Sequence, residues 1–383
     1  MRIGIIGTGV AGSLLAERLS GTPGFTIEAF ERTELGEQAE AGTGLNLGPN
    51  AAKALRLHLP ERHAALRAQS LEWRRWQVDL TDGTRLLDLD LLEVAEETGV
   101  RIRWSELYRL LRAPVAGCTR HGHALEAIEE DAAGRLVPVF RARQPRVRHG
   151  GFDLLVGADG RYSRTRALTA GEPEATLLGA CIWRMLVPLA TDCPFDDYGQ
   201  WFQGNARLLA FRVPGGAVYI AGTFPLTPDG DFPEGSKTRA WQRALFTPPD
   251  APPCPAVAWM LDAIDRQFAD IHWARSASIP MLRSTAEGRV LLLGDAAQAM
   301  VPTLGQGATQ AVEDGVIAGA VLAAGGDVAQ ARDARVAFVR ELSQEASDTL
   351  RPGVDSAAGT RAKDAPAFRA KLRRLYTEVP APG

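Results

Sequence analysis

The sequence lacks several features that mark particular classes of protein. No run of residues approaches the ~20 uninterrupted apolar residues that a membrane-spanning helix needs. The net charge of −3 gives no sign of the basic surface with which proteins bind nucleic acid. We therefore expect neither a membrane protein nor a nucleic-acid-binding protein.

Cysteine is scarce and scattered. The four cysteines are Cys118, Cys181, Cys193 and Cys254. Their wide spacing excludes a zinc-type pair, and a chain of 383 residues with so few cysteines has no disulfide framework. Met1 and Arg2 lead directly into an apolar stretch, so we expect no secretory signal peptide. These features predict a reduced, cytoplasmic protein without a metal site.

A glycine motif near the N-terminus predicts a nucleotide site. The residues IGIIGTGVAG contain Gly7-x-Gly9-x-x-Gly12 between a strand-like run and apolar residues at helical spacing. Gly7 permits a tight turn, Gly9 lets the backbone approach a pyrophosphate, and Gly12 lets the helix pack on the strand. The free N–H groups of the first helical turn, around Ala11, then hold the anion.

An acid at the end of the second strand-like run narrows the choice of nucleotide. Glu31 follows FTIEAF, 24 residues after Gly7, where a carboxylate accepts hydrogen bonds from the ribose hydroxyls. The same charge repels a 2′-phosphate, so this half of the chain is expected to bind FAD or NAD, with Arg32 beside the site. A glycine-rich turn in another α/β protein is the alternative.

Two later strand-like runs also end in glycines and an acid. FDLLV leads into Gly157-Ala-Asp159-Gly160 and a following Ser-x-x-Arg166, and RVLLL leads into Gly294-Asp295. Because the carboxyl ends of parallel strands share one edge of a sheet, a single long ligand can contact all three turns. FAD is long enough, whereas an NAD-linked dehydrogenase, the rival enzyme, needs only the first turn.

At these motifs the chain resembles the single-component FAD-dependent aromatic-ring hydroxylases, such as salicylate and 6-hydroxynicotinate hydroxylases. The matching motifs are Gly7-Thr-Gly9-Val-Ala-Gly12, Glu31, Gly42-Thr-Gly44-Leu-Asn-Leu-Gly-Pro-Asn50, Gly157-Ala-Asp159-Gly160, Gly294-Asp295, Pro302 and Gly305-Gln306-Gly307. The resemblance implies an α/β fold with a Rossmann-like FAD-binding domain of the glutathione-reductase type. An interleaved antiparallel β-sheet substrate domain and C-terminal helices complete the expected fold.

The expected domains are discontinuous. Residues 1–70, 101–173 and 286–325 are predicted to form the FAD-binding domain. Residues 71–100 and 174–285 are predicted to form the substrate domain, because apolar runs there are bounded by Gly, Pro and Asp. Residues 326–383 are predicted to form a C-terminal helical segment. Asp327 is expected to cap a helix that packs on the FAD-binding domain, with an oligomer contact as the alternative. The residues beyond Pro352 are expected to be polar and partly mobile.

The resemblance also implies roles for single residues. Asp295 binds the ribityl chain, Pro302 lies beside the flavin, and Asp159 lies near the pyrophosphate and the path of the nicotinamide donor. The other residues expected at the cofactor are Gly44, Leu45, Gly160, Gly305, Gln306, Gly307 and Ala308. The helix that begins near Gln306 points its N-terminus at the N1–C2=O edge of the ring, where its dipole stabilises negative charge.

Some positions depart from the family pattern. Gln298 stands where the family usually has a histidine after Gly-Asp-Ala-Ala. The family arginine near residue 104 is displaced by one position; Arg103 is favoured as the flavin contact, with Arg101 as its rival and a solvated charge as the alternative. Asn46 and Pro49 replace a tyrosine and a histidine of the oxygenases that cleave a pyridine ring.

Three polar residues in the predicted substrate sheet are candidates for catalysis. Arg184, Arg207 and Tyr219 match the substrate-contacting arginines and tyrosine of the 2-methyl-3-hydroxypyridine-5-carboxylate oxygenases, a branch that this region resembles. A buried guanidinium is costly unless it meets an anion, and a carboxylate of a ligand would provide one. Tyr219 is the best candidate for a general base, with core packing as its alternative. For the arginines, the alternative is pairing with acids at the strand edges. Arg212 has the opposite strand parity and is expected to face away.

These features, with the resemblance, predict a monooxygenase. NADH or NADPH would reduce FAD, O₂ would add at C4a, and the hydroperoxide would hydroxylate a small hydroxylated aromatic or pyridine carboxylate. A ring-opening oxygenase and an FAD-binding sensor or carrier without turnover remain as alternatives. The protein is expected to be a monomer or a homodimer.

Overall fold

The computed structural model describes residues 1–36, 43–141, 146–347 and 353–381; Gly42, which opens one of the motifs above, lies outside them. The strands are β1 Arg2–Ile6, β2 Thr26–Phe30, β3 Gly44–Leu47, β4 Leu71–Trp73, β5 Arg75–Leu80, β6 Arg85–Asp90, β7 Gly99–Arg103, β8 Thr119–Arg120, β9 Ala124–Glu130, β10 Leu136–Arg141, β11 Arg146–Arg148, β12 Leu154–Gly157, β13 Thr176–Val187, β14 Tyr198–Gln203, β15 Ala206–Val213, β16 Ala217–Pro225, β17 His272–Ser278, β18 Ser284–Thr285 and β19 Val290–Leu292. The α-helices are α1 Val10–Leu19, α2 Pro49–His58, α3 Pro60–Ala68, α4 Trp104–Arg112, α5 Arg164–Ala170, α6 Arg239–Phe246, α7 Pro255–Arg266, α8 Gln306–Ala323, α9 Val328–Ser347, α10 Ser356–Ala362 and α11 Pro366–Thr377.

A six-stranded sheet brings the three predicted strand ends together. Its order is β18-β19-β12-β1-β2-β8, and every neighbouring pair except β18–β19 is parallel. Ile6 at the end of β1 pairs with Gly157, and Gly157 pairs with Leu292 at the end of β19. The turns that follow β1, β12 and β19 therefore lie at one edge of the sheet, as the sequence predicts.

Different elements cover the two faces of this sheet. On one face, Ile3 and Ile5 pack in a core that includes residues of α1, α2 and α8. On the other face, Ile6 and Leu155 pack with Phe140 of the three-stranded sheet β11-β10-β9. Burial on both faces explains why these strands are continuous apolar runs rather than alternating ones.

A second sheet of seven strands forms the predicted antiparallel layer. Its order is β17-β13-β16-β15-β14-β5-β6, and all its pairs are antiparallel except β5–β14, which is parallel. One face, which includes Trp183 and Met185, packs in a core with residues of α6 and α7. In a second three-stranded sheet, β3-β7-β4, strand β7 pairs with β3, which precedes residue 71, and with β4, which begins at Leu71. The domain boundaries given above stay a prediction.

The C-terminal segment differs from what the sequence suggests in two respects. Val328 at the start of α9 packs in the core of the six-stranded sheet, but Val339, Leu342 and Ala346 farther along α9 pack with strands β5 and β6 and with α11. The residues beyond Pro352 are not a polar tail, because α11 buries the side chains of Leu372 and Tyr376. The cap was predicted correctly, since Asp327 Oδ1 accepts a hydrogen bond from Ala329 N at 2.7 Å. Among the described residues, no helix is long and apolar enough to cross a membrane.

Candidate functional site

The glycines of the first turn leave room for a ligand at one position and not at the others. A Cβ on Gly12 would lie 2.0 Å from the carbonyl oxygen of Gly7, and a Cβ on Gly7 would lie 2.6 Å from that of Ala158. A Cβ on Gly9 would meet nothing closer than 3.9 Å. Gly7 and Gly12 are therefore required by chain packing, whereas Gly9 borders open space at the start of α1, where Val10 and Ala11 are buried.

Glu31 is held as a carboxylate next to this turn. Its Oε2 accepts hydrogen bonds from Thr8 N at 3.1 Å and from Arg112 Nη2 at 3.1 Å, and its Oε1 accepts one from Thr33 N. Burial opposes ionisation, but the Arg112 charge and these N–H groups keep the pKa of Glu31 below its usual value. The carboxylate is therefore ionised at neutral pH, and Arg32 beside it is exposed.

Arg112 is a site residue that the sequence reasoning missed. It lies at the end of α4, where its Nε donates to Thr8 O and its Nη1 is buried without a hydrogen-bond partner among the described residues. The neighbouring Arg109 instead pairs with Glu106 on the exposed side of the helix. The amphipathicity of α4 was not a usable signal, because Arg109 and Arg112 both lie on the side of the helix opposite the buried Leu107, Leu110 and Leu111.

A cavity of about 730 Å³ opens beside these residues. Its lining includes Gly7, Gly9, Glu31, Arg32, Arg112, Asp159 and Gly160. The cavity thus joins the turn after β1 to the turn after β12. Its size and elongated lining fit the adenosine diphosphate half of a dinucleotide, and the unpartnered Nη1 of Arg112 provides a donor for a phosphate or a ribose.

Asp159 organises the turn after β12. Its Oδ1 accepts a hydrogen bond from Ser163 Oγ at 2.6 Å, and its Oδ2 accepts one from Thr165 N at 2.9 Å. Burial raises the pKa of Asp159, and the hydrogen bonds from Ser163 and Thr165 oppose that rise. Gly160 follows it with φ of +80°, and a Cβ on Gly160 would meet no described atom within 4 Å, so the backbone there is open to a ligand.

Asp295 lies in the turn after β19, close to the start of α1. A Cβ on Gly294 would lie 3.5 Å from the Cβ of Ala11, so the first and third turns are in contact. Burial raises the pKa of Asp295 to about 6, and the Arg161 charge opposes that rise. The three acids predicted at the carboxyl edge of the sheet are therefore brought together by the fold.

The predicted glycine turn before α8 has the expected geometry. Pro302 begins a short 3-10 turn, Gly305 adopts φ of +66°, and α8 begins at Gln306 without a side-chain cap. A Cβ on Gly307 would meet nothing closer than Asp295 Oδ1 at 3.9 Å, so the free N–H groups of α8 border open space. Two other predicted residues face inward. The Gln306 side chain accepts a hydrogen bond from Asn50 Nδ2 at 3.0 Å, and Ala308 packs on the core.

Strands β3 and β7 place the remaining cofactor candidates side by side. Gly44 pairs with Arg103, and Leu45 is buried next to it. Arg103 Nε is buried and has no hydrogen-bond partner among the described residues, which is consistent with a donor kept for a ligand. The rival Arg101 is already engaged, because it donates to the carbonyl oxygens of Glu72 and Asp196.

The three substrate candidates share one face of the seven-stranded sheet. The register pairs Arg207 with Thr223, Tyr219 with Leu186, and Arg184 with Ala221, all of equal parity. Arg207 is buried, as expected, but Arg184 is exposed, so the expectation of a buried guanidinium is wrong for Arg184. Arg212 faces the other way and donates to the carbonyl oxygens of Ala190, Cys193 and Phe195.

Arg207 and Pro302 line a second cavity, of about 270 Å³. The other lining residues are Thr176, Leu177, Leu178, Ala180, Ile182, Thr223, Ser276, Val301, Thr303, Gln344 and Ser347. Arg207 forms no ion pair among the described residues; its Nη2 donates to Thr223 Oγ1 at 3.5 Å and its buried Nε has no partner. Pairing with an acid at the strand edge is therefore not what stabilises this guanidinium.

Gln298, which departs from the family pattern, is a buried packing residue. Its Oε1 accepts a hydrogen bond from Arg340 Nη1 of α9 at 3.3 Å, and the same nitrogen donates to Ile279 O. The amide therefore connects the turn after β19 with the C-terminal helices and does not line either cavity.

Comparison with known proteins agrees with this geometry. Residues 259–333 match the family model described as an FAD binding domain. The 3-amino-4-hydroxybenzoate 2-monooxygenase PtmB3 of Streptomyces platensis is 31% identical over 330 residues, which cover 82% of this chain and 77% of that protein. The FAD-dependent urate hydroxylase of Klebsiella pneumoniae is 27% identical over 368 residues, which cover 92% of this chain and 87% of that protein.

The fold is also similar to that of a solved structure. The crystal structure of Klebsiella pneumoniae HpxO complexed with FAD and uric acid has a TM-score of 0.81 at 23% identity, and covers 99% of this chain and 97% of that chain. A relative above 30% identity that spans most of both chains, together with three strand ends arranged for a dinucleotide, establishes the family. The chain belongs to the FAD-dependent aromatic-ring hydroxylases, which are flavoprotein monooxygenases.

Proposed function

We propose that this protein hydroxylates a small hydroxylated aromatic or pyridine carboxylate, with NADH or NADPH as the reductant and O₂ as the oxygen source. The observation that carries the proposal is Arg207, a buried guanidinium without an acid partner among the described residues, in a cavity that Pro302 also lines. FAD, when bound, supplies the activation of O₂ for transfer to an electron-rich ring. The protein supplies binding, orientation, exclusion of water and stabilisation of charge.

The cofactor roles follow from the open positions in the three turns. Gly9 and Gly160 let the backbone approach the pyrophosphate, Asp295 accepts hydrogen bonds from the ribityl hydroxyls, and Arg103 donates to the flavin. Glu31 and Arg112 hold the adenosine end. These assignments rest on Arg103 Nε and Arg112 Nη1, which have no hydrogen-bond partner among the described residues, and on Gly9 and Gly160, where a Cβ would meet nothing closer than 3.9 Å.

The N-terminus of α8 is proposed to stabilise negative charge on the flavin ring. Gly305 and Gly307 allow close approach, and the uncapped N–H groups that follow Gly305 carry the positive end of the helix dipole. These donors are fixed before the reaction, so no reorganisation is needed when charge develops.

The substrate carboxylate is proposed to bind Arg207. A charge-assisted, bidentate hydrogen bond would satisfy the guanidinium and fix the orientation of the ring. A cavity of about 270 Å³ suits a single ring with small substituents. Thr223, Ser276 and Thr303 line the same cavity and provide hydroxyl groups for the other polar substituents of the ring.

Tyr219 is proposed as a hydrogen-bond donor and not as a general base. Burial raises its pKa to about 12, while the Arg184 charge opposes that rise. The phenol is therefore protonated at neutral pH. Tyr219 does not line the cavity of about 270 Å³, but it lies close enough to Arg207 for the two groups to interact, and it is proposed to donate to a substrate oxygen from there. Arg184 lies on the same face of the sheet, but it is exposed and lines neither cavity, so no contact with the substrate is assigned to it.

The test is substrate-stimulated oxidation of NADH and of NADPH by the FAD-loaded protein, with identification of the product. A panel of hydroxylated benzoates and pyridine carboxylates is compared with the same rings lacking the carboxylate. Arg207→Met is expected to raise the KM for the carboxylates about 10- to 100-fold, the effect of losing a charged hydrogen bond. Flavin binding should be unchanged.

Arg275→Met is the matched control, because Arg275 lies on β17 of the same sheet and forms an exposed ion pair with Asp231. It should behave like the wild type. If no carboxylate stimulates oxidation, or if Arg207→Met binds carboxylates as the wild type does, the proposed substrate class is wrong.

A further inference from the structure

A fully buried aspartate of α8 holds the backbone of the turn that carries Asp295. The Oδ2 atom of Asp314 accepts a hydrogen bond from Gly294 N at 2.9 Å and another from Arg283 Nη1 at 3.0 Å. Its Oδ1 accepts one from Arg332 Nε at 2.9 Å. Asp314 and Arg332 both have 0% exposed side chains.

Arg332 reaches Asp314 from α9, outside the segments that line the nucleotide cavity. Its Nη1 also donates to Glu313 Oε2 at 2.7 Å and its Nη2 to Gln310 Oε1 at 2.7 Å. All three nitrogens of the guanidinium are therefore used, and each bond goes to α8. A carboxylate with this many charge-assisted hydrogen bonds has a defined position.

A second arginine holds the same turn from the opposite side. Arg166 of α5 is buried and donates from Nη1 to Ala297 O at 2.9 Å and to Ala296 O at 3.4 Å. Arg166 forms no ion pair within the described part of the chain. Its charge therefore acts on the carbonyl groups of the turn, while Asp314 acts on the amide of Gly294.

We propose that Arg332, acting through Asp314, and Arg166 are positioning residues for Asp295. The Asp314 carboxylate binds the first amide of the turn 294–297, and the Arg166 guanidinium binds its last two carbonyl groups. The position of the Asp295 carboxylate, and with it the binding of FAD, then depends on side chains that do not touch the cofactor. The inference rests on the proposed role of Asp295 but not on the proposed substrate.

The test compares Arg332→Met with Arg332→Lys and with Arg335→Met. Arg335 lies on the same face of α9 and donates to Glu313 from Nε and from Nη2 at 2.7 Å, but it does not contact Asp314. Both methionine variants remove a buried partner of an acid, so both are expected to lower the thermal stability. Only Arg332→Met should displace the turn.

Three quantities are measured on the FAD-loaded proteins without substrate: the dissociation constant of FAD, the visible circular dichroism of the bound flavin, and its reduction potential. Arg332→Met is expected to raise the dissociation constant about tenfold or more, and to change the visible circular dichroism and the reduction potential of the bound flavin. Arg332→Lys should recover part of both effects, because its ammonium keeps one donor near Asp314. Arg335→Met should leave the dissociation constant of FAD at the wild-type value, because Arg335 does not contact Asp314.

Equal effects of Arg332→Met and Arg335→Met on stability, with wild-type flavin binding and spectra in both, would overturn the proposal. If Arg332→Met does not fold, Arg166→Met tests the proposal at the other end of the turn. The same change in FAD binding is expected. Because no substrate is present, failure of the proposed hydroxylation leaves these outcomes unaffected, and failure here leaves the substrate assignment standing.

Discussion

At the scale of single residues, Asp295 links the chemistry of the site to pH. Burial raises its pKa from 3.8 to about 6, the nearby Asp314 charge adds to the rise, and Arg161 opposes it. Between about pH 4 and pH 6, the folded apoprotein therefore holds a proton that the unfolded chain has released. The protonated carboxyl group of Asp295 therefore favours the folded state at the acid end of that window. The free energy of unfolding then falls as the pH rises through 6.

Asp295→Asn is accordingly expected to change the pH dependence of stability. The variant lacks the cost of a buried carboxylate, so its apoprotein should be more stable than the wild type above pH 6, with the difference shrinking towards pH 4. Urea unfolding of both apoproteins at several pH values measures the difference in their free energies of unfolding. Asp250→Asn, in an exposed loop, is the control. Parallel pH profiles for wild type and Asp295→Asn would contradict the assignment.

Two arginines show what strand alternation can and cannot predict. Parity places Arg184 and Arg207 on one face of the sheet, and the register agrees. Parity does not say what covers that face. The turn 301–303 and the end of α9 cover Arg207, whereas Arg184 is exposed. The covering segments are about 95 to 140 residues away along the chain, so no local pattern could distinguish the two side chains.

At the scale of elements, the unit from β1 through the glycine turn to α1 was predictable in detail. The sequence pattern is local, because the strand, the turn and the helix are adjacent in sequence. Each glycine of the turn is explained by the steric limits at its position. The buried partners of α8 were not predictable in this way. Glu313 and Asp314 look like ordinary solvent-facing acids of a helix, and only the packing of α9 against α8 brings Arg332 and Arg335 to them.

The same unit provides a test that separates folding from cofactor binding. Gly9→Ala places a methyl group where nothing lies within 3.9 Å, so the apoprotein should fold with stability within about 1 kcal/mol of the wild type. The added Cβ occupies the approach to the pyrophosphate, so FAD affinity should fall about tenfold or more. Fluorescence titration with FAD and thermal unfolding of the apoprotein give the two quantities.

Gly12→Ala is the matched comparison, because its Cβ would lie 2.0 Å from Gly7 O, inside the contact between the helix and the strand. Overpacking of this kind should cost about 1–3 kcal/mol or more of stability even without FAD. The interpretation fails if the two alanine variants lose stability equally, or if Gly9→Ala binds FAD as the wild type does.

At the scale of the whole molecule, the C-terminal helices complete the core beneath the seven-stranded sheet. The sequence suggested a polar tail, because after Pro352 the nine charged residues outnumber the six large apolar ones. The spacing of Phe368, Leu372, Leu375 and Tyr376 is nevertheless that of one helical face, and all four side chains are buried. Their partners include Trp76 and Phe211, almost 300 and more than 150 residues earlier. The stripe on α9 and the face of α11 thus close a core that only the complete chain can form.

Leu372→Ala should therefore destabilise the whole protein and not merely release its end. Truncating a fully buried leucine costs about 2–5 kcal/mol, and the loss should appear as one cooperative shift of the unfolding transition. Lys371→Ala is the neighbouring control; its exposed pair with Glu345 is worth at most about 1 kcal/mol. Urea unfolding followed by tryptophan fluorescence reports on the sheet, since Trp76 lies in the same cluster. If Leu372→Ala leaves that transition unchanged while proteolysis removes the last helix, the C-terminal helices are an appendage and not part of the core.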